Sequence, residues 1–596
     1  MQTLIRKRWR FAPQAPDGFI RSLSSSTSSP ALHPLVAQVL YNRGLVKANA
    51  ALRFLNQEPA LGDPFELAGV AEGVALAREA ITRGDRIAVY GDYDVDGVTA
   101  AAVLIQTLRS LGGRVCPYIP SREDEGYGLN REAIETLATE GVRLLITVDC
   151  GIRSLEEVAL ARRLGLRVIV TDHHNVSDEL PPADAVINPK RLPVGAAGPG
   201  DFTEYDAAGF SDLAGVGVAF KLAQALLRAN RERALDTTQW DLAEEELLDL
   251  VALGTVADMV ALVDENHALV AKGLERINSG RHPGLGALMR VVGVEPGQVT
   301  TKTIGFVLAP RLNAAGRMDE AMTALELLLA PDMAAALPLA ERLDRLNQER
   351  REITGSVHQR ARDLALGRGD LPPLLFAASP DFPSGVVGLA ASRLLDEFYR
   401  PSIVVAVEDE YSKGSARSIP EFHITEALDA MHDLLERHGG HAAAAGFTVR
   451  TSRLDELRHR LMAVAEEKLQ DTVLIPTLHV DAEVPLEMLS WELYREMERL
   501  QPFGFGNPEP VFVSRHVRVL EAKAVGNEGR HLKLYLADRL GQSWDAIAFR
   551  QGHWAGRLAP SGGCTQYIDI AYHLERNEWN GRVTLQLNVQ DIHDTE

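Results

Sequence analysis

Three aspartates at alternate positions are the strongest chemical signal in this sequence. Asp92, Asp94 and Asp96 stand in the segment GDYDVDGVTA, directly after the β-branched run Ile87–Tyr90. In an extended segment, residues i, i+2 and i+4 face the same side, so these carboxylates are expected to converge on one point. Converging carboxylates repel one another unless a cation holds them. The segment therefore predicts a cation site, and the other interpretation is a solvated acidic turn.

A calcium loop of the EF-hand type is excluded by the residues that follow. The pattern D-x-D-x-D-G begins such a loop, but the twelfth position requires a bidentate glutamate and here holds Val103. An EF-hand loop also follows a helix, whereas this segment follows a predicted strand. A site built at the end of a strand is the remaining interpretation.

Two further strand ends carry residues of the same chemical type. Asp149 stands at the end of LLITVDCGI, and Asp172, His173 and His174 stand at the end of RVIVTDHHN. Sites in open α/β sheets form at the carboxyl ends of the strands, so we expect these side chains to meet the first group. Neighbouring side chains on extended backbone point to opposite faces. One histidine is therefore expected to bind metal and the other to support it or contact phosphate.

An aspartate in an apolar helical run completes the candidate set. Asp258 lies in LGTVADMV, where burial of a carboxylate without a partner would be costly. A carboxylate-rich set with one imidazole suits manganese or magnesium better than zinc. Three other histidines, His432, His438 and His441, have no cysteine nearby and irregular spacing, so we do not expect zinc there.

The elements that position these residues divide into several predicted domains. From Ile87 onward, short β-branched runs alternate with helical stretches, which is typical of a doubly wound parallel sheet. A stretch rich in Leu, Arg, Glu and Gln predicts a long connecting helix, a second α/β region follows, and short strands from Leu478 predict a small β-barrel. The predicted division is 1–60 (N-terminal arm), 61–338 (first α/β domain), 339–366 (connecting helix), 367–475 (second α/β domain) and 476–596 (barrel).

Two segments of biased composition are predicted to lie outside the packed cores. The serine-rich segment SLSSSTSSP, residues 22–30, predicts that the first thirty residues are a mobile arm. The Gly- and Pro-rich stretch 193–209 predicts a surface loop.

Composition and charge exclude several classes of protein. With 596 residues, 46% hydrophobic and 24% charged, the chain is expected to be a globular protein of several domains. Three cysteines without a C-x-x-C pair fit a reducing cytoplasm, and no apolar run is long enough to span a membrane. No Gly-Lys pair occurs, so no nucleotide cofactor is expected. A net charge of −20 means that a nucleic-acid ligand would need a local basic channel.

Ordered sequence blocks carry a resemblance to a known family. The series GDYDVDGVTA, TVDCG, TDHHN and GTVADMV resembles the DHH phosphoesterase superfamily, whose members hydrolyse phosphoric esters at a two-metal site. The blocks LAGVGVAFKL, APRLNAAGRM, GVVGLAASRL, KGSARSIP, GGHAAAAGF and PFGFGNPEP resemble its RecJ family of bacterial single-strand DNA exonucleases. The resemblance implies an α/β fold with a doubly wound parallel-sheet DHH domain. It also implies a second α/β, DHH-associated domain joined by a long helix, and a C-terminal OB-type β-barrel.

The resemblance also implies roles for individual residues. The implied cofactors are two divalent cations, manganese or magnesium. The implied metal ligands are Asp94, Asp96, Asp149, His173 and Asp258. The implied catalytic residues are Asp92, Asp149 and His174.

Residues that would hold a DNA strand are expected mainly in the second α/β region. Arginine pairs bidentately with phosphate, although a surface ion pair is the alternative for any single arginine, and a brace between domains is the alternative for Arg311. The candidate DNA-binding residues are Arg311, Asn313, Arg317, Arg393, Ser415, Arg417, Gly440 and His441. In the barrel, Phe503, Phe505 and Phe549 are candidates either for base stacking or for the core.

The implied function is degradation of single-stranded DNA from the 5′ end to 5′-mononucleotides by two-metal activation of water, in cytoplasmic DNA repair and recombination. The polarity comes from the family resemblance alone. Implied partners are single-stranded DNA and, at the level of the family, single-strand-binding protein and a repair helicase. One alternative is a DHH phosphodiesterase for short oligonucleotides or cyclic dinucleotides. The other is a DNA-binding relative that has lost catalysis.

Overall fold

The computed structural model describes residues 6–26, 32–56, 62–121, 128–191, 210, 212–318, 321–367, 371–558, 566–579 and 581–595. The loop predicted at 193–209 lies outside these residues, as does the end of the serine-rich segment. The chain forms two compact units, Pro59–Val473 and the combination of Met1–Glu58 with Leu474–Glu596. Within the described ranges, no helix has both the length and the apolar character needed to cross a membrane.

The strands and helices are numbered in chain order. The strands are β1 (Arg8–Phe11), β2 (Arg86–Gly91), β3 (Arg114–Tyr118), β4 (Val142–Val148), β5 (Arg167–Thr171), β6 (Ala185–Ile187), β7 (Leu375–Ser379), β8 (Ser402–Ala406), β9 (Tyr411–Arg417), β10 (Leu435–His441), β11 (Ala444–Arg450), β12 (Thr477–Val480), β13 (Ala482–Glu483), β14 (Phe512–Val525), β15 (His531–Ala537), β16 (Ser543–Ala548), β17 (Gln566–Trp579) and β18 (Arg582–Asp594). The helices are α1 (Asp17–Ser26), α2 (Pro34–Asn42), α3 (Ala48–Leu55), α4 (Val70–Arg83), α5 (Val95–Ser110), α6 (Arg131–Thr139), α7 (Leu155–Arg163), α8 (Gly215–Glu232), α9 (Leu248–Asp258), α10 (Asp264–Asn278), α11 (Pro283–Val292), α12 (Thr301–Thr303), α13 (Ala309–Met318), α14 (Met322–Leu328), α15 (Met333–Leu366), α16 (Ser384–Phe398), α17 (Ile424–Asp429), α18 (Leu454–Leu469), α19 (Trp491–Glu498) and α20 (Ala555–Leu558).

The first α/β domain is built on a five-stranded sheet in the order β3-β2-β4-β5-β6, with every pair parallel. Helices cover both faces of a parallel sheet, so its central strands are buried on both sides. The run Ile87–Tyr90 is accordingly fully buried. The predicted doubly wound parallel sheet is confirmed.

Two buried helices hold the site-bearing elements against this sheet. Helices α5 and α9 pack closely because Gly254 of α9 has no side chain. A Cβ at Gly254 would overlap Thr99 Oγ1 and would lie 2.8 Å from a methyl carbon of Val216. This close approach carries the end of α9, with Asp258, toward the carboxyl edge of the sheet.

The connecting helix α15 begins at Met333 instead of the predicted Leu339. Asp332 caps it by accepting a hydrogen bond from the backbone N–H of Ala335. The helix continues through Pro338. A proline lacks the backbone N–H that a helix interior uses, so in the sequence Pro338 indicates a helix boundary.

The second α/β domain follows the connecting helix. Its sheet has the order β10-β11-β9-β8-β7, in which β7 and β8 are parallel and the other pairs antiparallel. Helix α16 packs on both α15 and this sheet. The predicted second α/β domain is confirmed.

The smaller unit contains a closed β-barrel. Its strands follow the order β14-β15-β16-β18-β17, and pairing of β14 with β17 closes the barrel. The OB-type barrel expected from the resemblance is confirmed.

The mobile N-terminal arm is not observed, and that prediction is wrong for the described residues. Strand β1 pairs in parallel with β12, and helices α1–α3 share a hydrophobic core with the barrel. Phe19 and Leu23 of α1, and Val36 and Leu40 of α2, are buried in this core. Each pair is spaced four residues apart and forms one apolar helix face, which the serine-rich composition around residue 25 conceals.

Candidate metal centre

The register of the first sheet brings three acidic strand ends side by side. Gly91 at the end of β2 pairs with Val148 at the end of β4, which pairs with Thr171 at the end of β5. The next residue along each strand is an aspartate, Asp92, Asp149 and Asp172 respectively. All three aspartates are buried. The predicted meeting of strand-end carboxylates is therefore observed.

The site contains three overlapping groups of side chains, each with ligand atoms within 4.8 Å of one another; one of them, Asp149, His173 and His174, joins the other two. The first group is Asp92, Asp94 and Asp149. The second group is Asp96, His173 and Asp258. His173 Nε2 lies 3.2 Å from Asp149 Oδ1, so Asp149 stands between the two groups. This arrangement has the form of two cation sites that one carboxylate connects.

Strand periodicity predicts that the three aspartates after β2 converge on one point, and this prediction is wrong. Helix α5 begins at Val95, and Asp94 caps it by accepting hydrogen bonds from the N–H groups of Asp96 and Gly97. The backbone turns there from extended to helical, so Asp92 and Asp94 face the first group while Asp96 faces the second. Asp92, expected only in a catalytic or supporting role, thus lies among candidate metal ligands.

The N-terminus of α8 orients Asp96. The backbone N–H of Gly215 donates to Asp96 Oδ2 at 2.6 Å, and that of Val216 donates to Oδ1 at 2.8 Å. A Cβ at Gly215 would lie 2.6 Å from Asp149 Oδ1, so only glycine fits there without displacing Asp149. One helix end therefore positions a carboxylate from each group.

Asp149 occupies a strained backbone conformation. Its φ of +60° lies in the left-handed region, which an aspartate adopts less readily than glycine. Such strain persists only where the surrounding structure enforces it, and it is concentrated at functional sites. The conformation turns the chain out of β4 at the residue that connects the two groups.

The two histidines both lie near Asp149 Oδ1 but differ in their other carboxylate neighbours. His173 Nε2 faces carboxylates, 3.8 Å from Asp96 Oδ2 and 3.7 Å from Asp258 Oδ2. His174 Nδ1 instead lies 2.8 Å from Asp172 Oδ1, which also accepts hydrogen bonds from the N–H groups of both histidines. Asp172 therefore fixes the His174 ring, whose side chain is 41% exposed.

Burial and charge crowding shift the pKa values of the carboxylates. Burial, and then the neighbouring carboxylates, raise the pKa of Asp96 and of Asp149 well above the usual range. Burial, followed by repulsion from Asp94, raises the pKa of Asp258 to about 6. In the metal-free protein these groups therefore take up protons at a higher pH than free aspartates do, and a bound cation would compete with those protons.

The imidazoles respond in opposite directions. Burial, and then the charge of His174, lower the pKa of His173 to about 4, which leaves a neutral imidazole of the kind that binds metal. Burial is the largest single effect and disfavours the charged form of His174. The hydrogen bond to Asp172, together with the negative charges of Asp172, Asp258 and Asp92, outweighs burial and raises the pKa of His174.

These residues fit two divalent cations. His173 Nε2 is buried and, among the described residues, has no hydrogen-bond donor or acceptor, although carboxylate oxygens surround it. A bound cation would satisfy this nitrogen and would offset the mutual repulsion of the five aspartates. A donor set of carboxylate oxygens with one imidazole suits manganese or magnesium.

A cavity of about 370 Å³ opens over the first group and extends to α13. Its lining residues are Asp92, Tyr93, Asp94, Asp149, His174, Ala257, Asp258, Asn313, Gly316 and Arg317. Helix α13 can approach closely because Gly316 has no side chain. A Cβ at this position would lie 2.7 Å from the carbonyl oxygen of Tyr93. Asn313 Oδ1 also accepts a hydrogen bond from the N–H of Val95 at 3.2 Å.

Two of the candidate DNA-binding residues thus line the cavity, Asn313 and Arg317. Sequence reasoning missed Tyr93, Ala257 and Gly316, which carry no charged group. Their signal in the sequence is adjacency: each stands next to a singled-out residue.

Arg317 links the cavity to the second α/β domain. Its guanidinium donates a hydrogen bond to the carbonyl oxygen of Gly385, in the first turn of α16, at 3.2 Å. One turn later, Gly388 packs against β9, where a Cβ would lie 2.9 Å from Ser415 Oγ and 3.3 Å from the Arg417 guanidinium.

Candidate residues of the second sheet share one face. His441 of β10 pairs with Ala444 of β11, which pairs with Arg417 of β9, and Ser415 lies two residues along the same strand. Gly440 has a φ of +151°, and a Cβ there would lie 2.5 Å from the Cα of Ala445. Gly440 therefore shapes the edge of this face through its backbone.

Arg311 is committed to a structural role. Its Nε lies 2.8 Å from Asp344 Oδ1 on α15, and its Nη1 donates to the carbonyl oxygen of Val307. This ion pair joins α13 to the connecting helix, so the structure favours the brace over the predicted DNA contact. The sequence could not show this because Asp344 lies 33 residues away.

The three phenylalanines proposed for the barrel unit differ in exposure. Phe503 packs against the core of the smaller unit. Phe505 and Phe549 are 65% and 55% exposed. Phe549 also contacts His531 edge to face, with ring centroids 5.3 Å apart. Only the latter two present a face on which a base could stack.

Comparison with known proteins agrees with this architecture. A model of the DHH family, N-terminal domain, matches residues 86–255, a model of the DHHA1 domain matches 372–467, and a model of the RecJ OB domain matches 480–591. The single-stranded-DNA-specific exonuclease RecJ of Dickeya dadantii is 38% identical over 96% of this chain and 98% of that protein. The protein of the same name from Bacillus subtilis is 37% identical over 99% of this chain and 71% of that protein.

A solved structure supports the same assignment. The crystal structure of RecJ in complex with Mn²⁺ from Thermus thermophilus matches with a TM-score of 0.81 and 32% sequence identity, covering 99% of this chain and 80% of that chain. A second structure of that protein, in complex with Mg²⁺, matches with a TM-score of 0.76. The resemblance drawn from the sequence blocks is confirmed, and the chain belongs to the RecJ family.

Proposed function

We propose that this chain is a metal-dependent exonuclease that degrades single-stranded DNA in the 5′-3′ direction and releases 5′-mononucleotides. The observation that carries the proposal is the pair of ligand groups that Asp149 connects, set at the wall of a cavity that continues to Arg317. The relatives from Dickeya dadantii and Bacillus subtilis are named as single-stranded-DNA-specific exonucleases, and the similar RecJ of Thermus thermophilus was crystallised in complex with Mn²⁺.

The chain's own residues hold and orient the reacting groups. When bound, two divalent cations neutralise the scissile phosphate and lower the pKa of a water molecule. The first would be held by Asp92, Asp94 and Asp149, and the second by Asp96, His173 and Asp258, with Asp149 Oδ1 3.2 Å from His173 Nε2. The N–H groups at the start of α8 keep Asp96 in place, so the site is ordered before substrate arrives.

His174 lines the cavity and serves the substrate there. Because Asp172 raises the pKa of His174, the ring retains a proton at higher pH than an isolated histidine does. The Asp172 contact is made at Nδ1, and the ring lines the cavity, where it serves as a donor to a phosphate or leaving-group oxygen. Asp172 is thus a positioning residue for His174.

Polar residues beyond the cavity hold the strand. Arg317 and Asn313 contact the nucleotide that is cleaved, and Ser415, Arg417 and His441, with the backbone at Gly440, receive the phosphate at its 5′ end. Arg393 contacts the strand away from the cleaved bond. A narrow passage between the two α/β domains admits one strand and excludes a duplex. The exposed Phe505 and Phe549 of the smaller unit stack on unpaired bases.

The proposed setting is DNA repair and recombination in the cytoplasm. The buried thiol of Cys150 and the half-buried thiol of Cys116 are free, which suits a reducing compartment. Single-strand-binding protein and a repair helicase are the proposed protein partners, since they generate and cover the substrate.

The test is hydrolysis of a single-stranded oligonucleotide labelled at either end, with and without Mn²⁺. We expect the 5′ label to be released first as a mononucleotide, and no release without metal. Asp149→Ala should abolish release, whereas Asp178→Ala, which removes an exposed carboxylate of the same domain, should not. Preferential release from the 3′ end would overturn the polarity.

Substrate length separates the proposal from its alternatives. Because the strand is held beyond the cavity, a thirty-mer should be turned over more efficiently than a dinucleotide. Equal efficiency on both would favour the phosphodiesterase for short oligonucleotides or cyclic dinucleotides. Binding of DNA without binding of Mn²⁺ would favour a relative that has lost catalysis.

A further inference from the structure

Three arginines meet where the connecting helix α15 crosses α16. Arg350 and Arg351 lie on α15, and Arg393 lies on α16. The Arg393 guanidinium rests over Gly355, with its Nη1 4.0 Å from where a Cβ would be. Arg350 is half-buried and donates to Asn347 Oδ1 at 2.8 Å, whereas Arg351 and Arg393 are exposed. We name these three residues the arginine junction.

The arginine junction has no carboxylate partner in the part of the chain that the structure describes. Glu349 and Glu352, which flank Arg350 and Arg351 in the sequence, are exposed and form no ion pair with them there. Toward the start of α15, Asp344 pairs with Arg311. Toward its end, Glu397 pairs with Arg362 at 2.9 Å and with His358 at 3.2 Å. Both ends of this helix contact thus contain ion pairs, whereas the three guanidinium groups between them form none among the described residues.

The three guanidinium groups repel one another electrostatically. Burial, and then the charges of Arg393, Arg351 and Arg311, lower the pKa of Arg350, and burial followed by Arg351 lowers that of Arg393. The Nε of Arg350 is also buried without a hydrogen-bond acceptor among the described residues. An anion at this point would relieve the repulsion and supply acceptors for guanidinium donors.

The arginine junction lies on the same helix as the link to the cavity. Gly385, which accepts from Arg317, precedes Arg393 by eight residues on α16, a distance of about 12 Å at 1.5 Å per residue. A phosphate held at the junction is therefore separate from the phosphate that is cleaved.

We propose that the arginine junction of Arg350, Arg351 and Arg393 is a binding site for a backbone phosphate of single-stranded DNA, remote from the cleaved bond. This inference rests on the proposed function for the identity of its ligand. The nearby neutralised pairs confine the site to one phosphate, and Asn347 keeps Arg350 oriented toward it.

The test is the salt dependence of binding. A fluorescein-labelled thirty-mer of thymidine is titrated by anisotropy in EDTA, so that no hydrolysis occurs. Loss of one phosphate contact should reduce the steepness of log K against log salt by about 0.7. Between about 1 M and about 0.1 M salt, the variant should therefore gain about fivefold less affinity than the wild type gains. We expect this change for Arg351→Gln and for Arg350→Gln, and restoration of the slope in Arg351→Lys.

Arg345→Gln is the matched control, because it removes the same charge from an exposed position on another face of α15. A wild-type slope in Arg351→Gln, or an equal loss in Arg345→Gln, would overturn the inference. Because Arg351 is exposed, its variants should fold even if Arg350→Gln does not, and thermal unfolding checks this.

Hydrolysis in Mn²⁺ is scored separately. If the slope of log K against log salt falls in Arg351→Gln but the wild type cleaves no DNA, the proposed function fails and the phosphate site stands. If the wild type cleaves DNA but the slope is the same in Arg351→Gln, the proposed function stands and the phosphate site is refuted.

Discussion

Replacement of Asp258 by asparagine should stabilise the protein when metal is absent and destabilise it when metal is present. Asp258 ends α9 with its side chain 24% exposed, and burial followed by Asp94 raises the pKa of its carboxyl group to about 6. An unfolded aspartate titrates near 3.9, so the folded state holds this proton more tightly by about two pH units. That difference corresponds to about 3 kcal/mol in the free energy of unfolding.

The sign follows from which state binds the proton. A raised pKa in the folded state gives stability that is fully present below about pH 4 and is lost as pH rises through about 6. The asparagine side chain cannot ionise, so Asp258→Asn should match the wild type near pH 4 and exceed it by about 3 kcal/mol at pH 8 in EDTA. With Mn²⁺ the order should reverse, because the wild type gains the binding free energy of a ligand that the variant lacks.

The assay is scanning calorimetry of the full chain between pH 4 and 8, in EDTA and in Mn²⁺. Asp178→Asn, at an exposed position, is the control and should follow the wild type throughout. The reasoning is refuted if Asp258→Asn is no more stable than the wild type at pH 8 in EDTA, or if Mn²⁺ stabilises both proteins equally.

Two further predictions concern the packing that supports the site. Gly254→Ala should cost about 1–3 kcal/mol by overpacking α9 against Thr99 and should weaken Mn²⁺ binding, as measured by thermal unfolding and metal titration; unchanged metal affinity would contradict this. Lys221→Met should cost about 3–5 kcal/mol because it leaves its ion-pair partner Glu265 buried without a cation, whereas the double variant with Glu265→Leu should regain most of the loss in calorimetry. A double variant as unstable as the single one would show that the ion pair is not the cause.

Much of the site was readable from sequence because its signals are local. Each ligand-bearing strand is a short buried β-branched run that ends directly before an aspartate, so strand and ligand are found together. Asp258 was found because a carboxylate in an apolar helix demands a partner. These inferences need only the rule that parallel strands end at one edge.

The sequence did not predict that the aspartates divide between two ligand groups. It depends on the residue at which extended backbone becomes helical, and Asp94 as the helix cap sets that point between Asp92 and Asp96. Long-range partners were also hidden. The pairing of Arg311 with Asp344 and the packing of α1 on the barrel depend on chain segments far apart in sequence.

The most direct test of the account is the number of Mn²⁺ ions that one chain binds, measured by electron paramagnetic resonance of free Mn²⁺ during titration. The wild type should bind two ions per chain. Asp149→Asn removes the carboxylate that connects the two groups and should weaken both sites, whereas Asp178→Asn should still bind two. A single ion in the wild type, or two ions bound with wild-type affinity by Asp149→Asn, would contradict the account.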